Sequence, residues 1–130
     1  MSTLLLDTHA YVWAVSEPAR LSTAARVAVA DRSRRILVSA ATVWEMAIKH
    51  RAGRWPEAEP LLAGHPDIVQ RLGAEHLDIA WADARRAGSL RWAHSDPFDR
   101  MLAAQALVHG AVLVTRDSVF DEVTGLDILW

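Results

Sequence analysis

Carboxylates occur at four places in this sequence where an apolar stretch meets polar residues. Asp7 directly follows a run of three leucines, Glu45 lies within an apolar helical pattern, Asp96 and Asp99 open a further helical segment, and Asp117 follows a late apolar run. Carboxylates that meet in one cleft repel each other, so they either take up protons or bind a cation. Hard divalent cations such as Mg²⁺ and Mn²⁺ prefer oxygen ligands and polarise phosphate oxygens. Convergence of the four places would therefore favour metal-dependent hydrolysis of phosphodiester bonds.

Each of these acids also has a purely structural interpretation. Asp7 could cap a helix that begins at the next residue, and Asp96, which precedes a proline, has the pattern of another N-cap. Asp99 could interact with the positive N-terminal end of the helix dipole or take part in a capping box, and Asp117 could be a turn residue. Glu45 would be costly to bury alone, so its alternative is an ion pair with the lysine four residues later. The residues alone leave both interpretations open.

The acids can converge only if the apolar runs fold side by side. Strands are predicted at five short segments: 4–6, 36–38, 77–79, 112–114 and 128–130. Helical patterns cover 8–15, 22–34, 39–53, 68–72, 82–87 and 96–110, whereas 54–66 is expected to be a connection with at most a short helix. Short apolar strands that alternate with helices are typical of a parallel sheet covered on both faces. We therefore predict one domain over residues 1–130, a three-layer α/β/α sandwich with the acids at one sheet edge.

Composition excludes several classes of protein. The chain has 130 residues, is 52% hydrophobic and 23% charged, and has a mean hydropathy of +0.08, which excludes disorder for most of it. No apolar run is long enough to cross a bilayer, the N-terminus is not expected to be a signal peptide, and the absence of cysteine excludes disulfides and thiolate sites. The net charge of −2 excludes nucleic-acid binding by bulk charge. All but one of the 14 basic residues are arginine, which suits phosphate contacts but is also expected from a GC-rich genome.

The acids lie in longer blocks of recognisable sequence. These are LLDTH at 5–9, SAATVWEMAIK at 39–49, DPFDRMLAAQA at 96–106 and LVTRD at 113–117. In this order and spacing the blocks resemble the PIN-domain ribonuclease toxins of the VapC class, and the likeness extends over essentially the whole chain. Four acid-bearing blocks in order are much more specific than any single one.

The resemblance implies a fold, an activity and partners. The family fold is an α/β/α sandwich around a parallel sheet. The implied activity is that of a Mg²⁺- or Mn²⁺-dependent endoribonuclease, the toxin of a bacterial type II toxin–antitoxin pair in the cytoplasm. Family members commonly form homodimers, and a small antitoxin silences them by laying its C-terminal segment across the active-site groove.

The resemblance also implies roles for individual residues. Asp7, Glu45 and Asp99 take the positions of the core acidic cluster, and Asp117 that of a fourth, more variable acid. Asp7 and Asp99 are expected to hold the metal, with Glu45 and Asp117 bound directly or through its waters. Asp96 belongs to a variant of the third block, and either Asp96 or Asp99 is the direct ligand, with Asp99 favoured.

Further residues are candidates for supporting roles. Thr115 matches a family hydroxyl that holds a carboxylate or a water, while Arg100 and Arg116 could contact the RNA backbone or the antitoxin, or pair with the acids. His9 and His94 are expected to lie at the cleft rim rather than to bind metal. Two groups of tryptophans are distinguished by position: helical ones expected in the core or a dimer interface (13, 44 and 81), and ones in connections expected to contact RNA or a partner (55 and 92).

Two other classes of α/β protein with acidic sites require residues that this sequence lacks. A phosphoacceptor receiver domain needs a late lysine, but Lys49 is the only lysine, and aspartate-nucleophile phosphatases need an aspartate where His9 stands. The remaining alternative is a catalytically weak domain of the same fold that binds RNA or a partner without cutting.

Overall fold

The computed structural model describes residues 2–130, and its centre is a five-stranded sheet. The strands are β1 (Leu4–Leu6), β2 (Ile36–Ser39), β3 (Glu75–Leu77), β4 (Val112–Val114) and β5 (Ile128–Leu129). All neighbouring strands are parallel, and the order across the sheet is β3-β2-β1-β4-β5.

Seven α-helices connect and cover the strands. They are α1 (Thr8–Ser16), α2 (Thr23–Ala30), α3 (Ala40–Arg51), α4 (Glu59–Gly64), α5 (Asp67–Leu72), α6 (Trp81–Ser89) and α7 (Pro97–His109). Short 3₁₀ turns lie at Pro18–Arg20, Pro56–Ala58 and Ser118–Glu122. No helix within residues 2–130 has the length and apolarity that a membrane crossing requires.

The central strand explains the three layers. Leu4, Leu5 and Leu6 are fully buried, because β1 is hydrogen-bonded to β2 on one side and to β4 on the other. Leu4 and Leu6 belong to a core formed mainly with α1 and α2, whereas Leu5 packs in a second core with Leu102 and Ala103 of α7. Successive strand side chains point to opposite faces, so an all-apolar strand needs helices on both faces. The predicted α/β/α sandwich is confirmed.

Some element boundaries differ from the prediction. The third strand is Glu75–Leu77 rather than 77–79. It lies at the edge of the sheet and pairs with β2, beginning with Glu75 opposite Leu37. An edge strand can carry exposed polar residues, so its apolar content is a poor guide to its position. Helix α2 ends at Ala30 rather than at Arg34. The 54–66 connection contains one 3₁₀ turn and the six-residue α4.

A buried polar network joins α6, α7 and the start of α3. Gln105 is fully buried; its amide nitrogen lies 3.2 Å from an Asp83 carboxylate oxygen and its carbonyl accepts from the Ser39 hydroxyl. The Ser39 oxygen in turn accepts from the backbone N–H of Ala41 and caps α3. The network therefore fixes the beginning of the helix that carries Glu45.

Replacing Gln105 with Leu is expected to lower the free energy of unfolding by about 2–4 kcal/mol, because the buried Asp83 carboxylate would lose a donor and Ser39 an acceptor. Urea unfolding measures the difference. The matched control, Gln70→Leu on an exposed position of α5, should change stability by only about 0.5 kcal/mol. Equal losses in the two variants would contradict a stabilising role for the network.

Candidate active site

The acids gather at the carboxyl edge of the sheet, next to its topological switch point. The chain passes from β1 to β2 on one side of the sheet and later reaches β4 on the other side of β1. Ligands of open parallel sheets bind in the crevice where the strand order reverses. Asp7 directly follows β1, and its N–H donates to the carbonyl of Val114, the last residue of β4, at 3.0 Å. Thr115 and Asp117 follow β4 and therefore lie at the same edge of the sheet.

Asp7 is held in a buried position. Its side chain is 8% exposed and accepts from the N–H of Ala10 at 2.7 Å, so it caps α1. Burial raises the pKa of Asp7 to about 6, as do the charges of Glu45 and Asp117, while hydrogen bonds from Thr115 and Ala10 oppose the rise. The capping interpretation is therefore correct, yet the carboxyl group also faces two other acids.

Glu45 connects the two ends of the acidic cluster. It is 5% exposed, and its two oxygens accept from the Thr8 hydroxyl and from Nζ of Lys49, each at 2.6 Å. The ion pair expected from the sequence is present. The Glu45 charge raises the pKa of both Asp7 and Asp99, which places it within electrostatic range of both.

Asp96 and Asp99 lie at the start of α7 but have different partners. One oxygen of Asp96 accepts from the N–H groups of Phe98 and Asp99, which makes Asp96 the N-cap. Asp99 is instead hydrogen-bonded to Nε2 of His94 at 2.7 Å. Burial raises the pKa of Asp99 to about 6; the neighbouring charges of Asp96 and Glu45 add to the rise, and the His94 hydrogen bond opposes it. Asp99 is thus free of the capping bonds that occupy Asp96.

Thr115 links the acids that follow β1 and β4. Its side chain is buried, its hydroxyl lowers the pKa of the Asp7 carboxyl, and its oxygen accepts from the N–H of Asp117 at 3.0 Å. The Asp117 side chain is more exposed and accepts from the N–H of Val119, so it also forms the expected turn. Thr115 therefore lies next to the acids that follow β1 and β4.

Arg100 and Arg116 have different surroundings in the structure. The Arg100 guanidinium donates to four backbone carbonyls, those of Ala87, Leu90, Trp92 and His94, at 2.8–3.0 Å. It pairs with no acid and is occupied by the chain itself. The exposed Arg116 instead lines the cleft beside Asp7 and Asp117.

Replacing Arg100 with Lys is expected to lower the free energy of unfolding by about 2 kcal/mol or more, since an ammonium group cannot reach four carbonyls in a fork geometry. Hydrogen exchange of the segment from Ala87 to His94 should speed up most. Arg116→Lys is the matched control, and it should leave both the unfolding free energy and this exchange unchanged. Unaltered exchange in Arg100→Lys would show that the four bonds do not hold the segment.

Of the tryptophans, Trp92 differs from its expected location. Trp92 is buried and donates to Glu122, so it is a core residue rather than a contact for RNA. Trp44 and Trp81 are 53% and 77% exposed, so they do not belong to the core of this chain. Trp13 is buried as expected, and Trp55 lines the cleft that contains Asp7.

The cleft itself has a volume of about 600 Å³ and extends from the acids along α1. Glu17 and Arg20 line its far part, and neither was predicted from the sequence. Glu17 precedes the 3₁₀ turn after α1 and Arg20 is the last residue of that turn, and no local pattern marks such residues as lining a distant cleft.

The donor set fits a hard divalent cation. Asp7, Glu45, Asp99 and Asp117 offer carboxylate oxygens, the ligands that such ions prefer. Burial raises the pKa of Asp7 and Asp99, and neighbouring acids add to the rise, so a cation bound here would favour the charged form of both carboxyl groups. Among residues 2–130, ligand atoms that all lie within 4.8 Å of one another come from His94, Asp96 and Asp99.

Comparison with known proteins gives consistent results. The profile of the family described as PIN domain matches residues 4–126. Ribonuclease VapC22 of Mycobacterium tuberculosis is 36% identical over 121 residues, which are 90% of this chain and 88% of the relative. Ribonuclease VapC16 of the same organism is 41% identical over 54 residues, 42% of this chain and 38% of the relative.

Solved structures share the fold. The DNA-bound VapBC of Salmonella typhimurium matches with a TM-score of 0.71 and 24% identity, over 99% of this chain and 98% of that chain. FitAcB of Neisseria gonorrhoeae matches with a TM-score of 0.64 and 21% identity, over 98% and 97%. From the profile match and the relative of nearly equal length, the chain belongs to the PIN domain family.

Proposed function

We propose that this chain is a metal-dependent endoribonuclease, the toxin of a bacterial type II toxin–antitoxin pair. The observation that carries the proposal is the cluster of Asp7, Glu45 and Asp99 at the carboxyl edge of the sheet, with two carboxyl pKa values raised to about 6. The similarity to a relative named Ribonuclease VapC22 supports the reaction and its RNA substrate.

In this proposal Asp7 and Asp99 hold Mg²⁺, or alternatively Mn²⁺, while Glu45 and Asp117 bind it directly or through water. A bound divalent cation supplies Lewis-acid polarisation of a phosphoryl oxygen and acidifies water. Thr115 orients the Asp7 carboxyl through its hydroxyl. Direct ligation by Asp99 rather than Asp96 is supported by the Glu45 charge, which raises the pKa of Asp99 and so lies within electrostatic range of it.

Neighbouring residues hold the Glu45 carboxylate in place. Both of its oxygens are engaged, one by the Thr8 hydroxyl and one by Lys49. Because the Thr8 hydroxyl is neutral and the Lys49 ammonium is cationic, both contacts fix the position of Glu45 without adding negative charge to the acidic cluster. We assign Thr8 and Lys49 positioning roles on this basis.

The proposed partners follow from the same family. A cognate small antitoxin is the inhibitor, and support comes from similarity to structures described as VapBC complexes, some of them bound to DNA. In this proposal the chain forms a homodimer and assembles with the antitoxin into hetero-oligomers. It acts in the bacterial cytoplasm.

The decisive experiment incubates the purified protein with a defined single-stranded RNA and Mg²⁺. We expect internal cleavage that EDTA abolishes and that re-added Mg²⁺ restores, with the positions read by sequencing the new ends. Mn²⁺ replaces Mg²⁺ in a parallel reaction. RNA that is bound but never cut under both metals would support the alternative, a binding module of the same fold, and would reject the nuclease.

A further inference from the structure

The cleft lined by Asp7 and Asp117 continues to a second, chemically different part. Beyond Asp7 and Asp117 its lining includes His9, Trp55 and Arg20. Its volume of about 600 Å³ lies within the range of roughly 300–1,000 Å³ that ligand pockets have. Space for a ligand group therefore adjoins the acidic cluster directly.

Aromatic rings form one wall of this second part. The rings of His9 and Trp55 are stacked, with centroids 5.0 Å apart and planes at 29°, and Trp13 lies 5.4 Å from His9. The wall thus offers flat aromatic rings, one of which, His9, lies only two residues along the chain from Asp7.

Two guanidinium groups in the cleft have no acidic partner. Among residues 2–130, the Arg20 and Arg116 side chains make neither an ion pair nor a hydrogen bond, although both line the cleft. Arg20 lies 4.5 Å from the centre of the Trp13 ring. Lys49 and Arg100 are already engaged, by Glu45 and by backbone carbonyls. Arg20 and Arg116 are exposed and line the cleft, so both are accessible to phosphates.

We propose that His9 and Trp55 form a nucleobase subsite, in which an unpaired base of RNA beside the cleaved phosphate stacks while Arg20 and Arg116 bind flanking phosphates. This rests on the proposed function, since it takes the RNA phosphate at the acids as its starting point. Base stacking on aromatic rings is sequence-tolerant and requires an unpaired strand. Glu17 and Glu57 also line this part. Carboxylates accept hydrogen bonds from base amino groups in nucleic-acid complexes, and these two side chains would do so here.

The test measures binding separately from cutting. A fluorescent single-stranded RNA decamer is titrated with the protein in Ca²⁺, which neutralises the carboxylates, and a gel checks that the RNA stays intact. Trp55→Leu should weaken binding by about 5- to 100-fold, the usual effect of losing one base–aromatic stack. Trp55→Phe keeps a ring and should bind nearly as wild type. Trp81→Leu, at a 77% exposed position outside the cleft, should not change binding.

Abasic nucleotides identify stacking itself. An abasic substitution at one position of the decamer should weaken binding by the wild type but have little further effect in Trp55→Leu, because the stack is already absent. Equal weakening by Trp55→Leu for intact and abasic RNA at every position would overturn the subsite.

The outcomes separate this proposal from the nuclease. If the wild type cuts RNA and Trp55→Leu binds it equally well, the subsite is rejected and the function stands. If the wild type binds RNA with the coupled Trp55 effect but never cuts it with Mg²⁺ or Mn²⁺, the subsite stands and the nuclease is rejected. A wild type that neither binds nor cuts single-stranded RNA overturns both.

Discussion

Replacing Asp7 or Asp99 with Asn is expected to lower the rate of RNA hydrolysis by about 100-fold or more, the usual loss when one preorganised electrostatic group is removed. Asparagine keeps the shape of the side chain but removes the negative charge that holds a divalent cation. At Asp7 it also keeps the cap on α1, because Asn caps helices as well as Asp does. Loss of activity would therefore report on the site rather than on folding. Initial rates at saturating Mg²⁺ measure the effect.

The control for this prediction is Asp127→Asn, which removes a charge from an exposed residue outside the acidic cluster and should cut RNA at the wild-type rate. Circular dichroism establishes that all three variants are folded. Wild-type rates in both Asp7→Asn and Asp99→Asn would place the active site elsewhere or reveal a contaminating nuclease.

The second large effect concerns stability without metal. The pKa of Asp7 is raised from 3.8 to about 6, so between these values the folded protein binds a proton more tightly than the unfolded chain does. Stability of the metal-free protein should therefore fall as the pH rises from about 4 to 6, and the destabilisation should be complete above pH 6. The shift corresponds to on the order of 3 kcal/mol for this buried group. Asp99 contributes in the same direction.

Asp7→Asn should accordingly raise the Tm of the metal-free protein at pH 7.5 by about 5 °C or more. Mg²⁺ should raise the Tm of the wild type, because a ligand that binds only the folded state stabilises it, and should raise the Tm of Asp7→Asn much less. Scanning calorimetry at pH 5 and 7.5, with and without Mg²⁺, gives both comparisons, and Asp127→Asn should behave as wild type. If the metal-free Asp7→Asn variant melts below the wild type at pH 7.5, ionisation of the buried Asp7 does not destabilise the fold, and the prediction is wrong.

The capping acids illustrate why two sequence interpretations can both be correct. Asp7, Asp96 and Asp117 all accept backbone hydrogen bonds as their local patterns predict. The first turn of a helix after a parallel strand lies at the same sheet edge where ligands bind. Capping and clustering therefore use the same positions, and only the three-dimensional arrangement shows that Asp7 also faces Glu45 and Asp117.

Other residues could not be assigned from the chain alone. Trp92 lies in a connecting segment, which suggested exposure, but the core around Leu102 and Phe120 encloses it. Arg100 lies beside an acidic block, which suggested phosphate or carboxylate contacts, but its guanidinium turns back to the preceding loop. In both cases the deciding contacts lie with residues whose side-chain or carbonyl direction has no sequence periodicity.

The sequence by itself determined the alternation of parallel strands and helices, and which acids follow the strands, because hydrophobic periodicity and caps are local properties of the chain. The tertiary structure alone decided that Glu45 lies within range of both Asp7 and Asp99, that His94 meets Asp99, and that His9 stacks on Trp55. Most of these contacts join distant segments, so they depend on how helices pack across the sheet edge. That packing is set by the summed burial of both cores, which no single motif encodes.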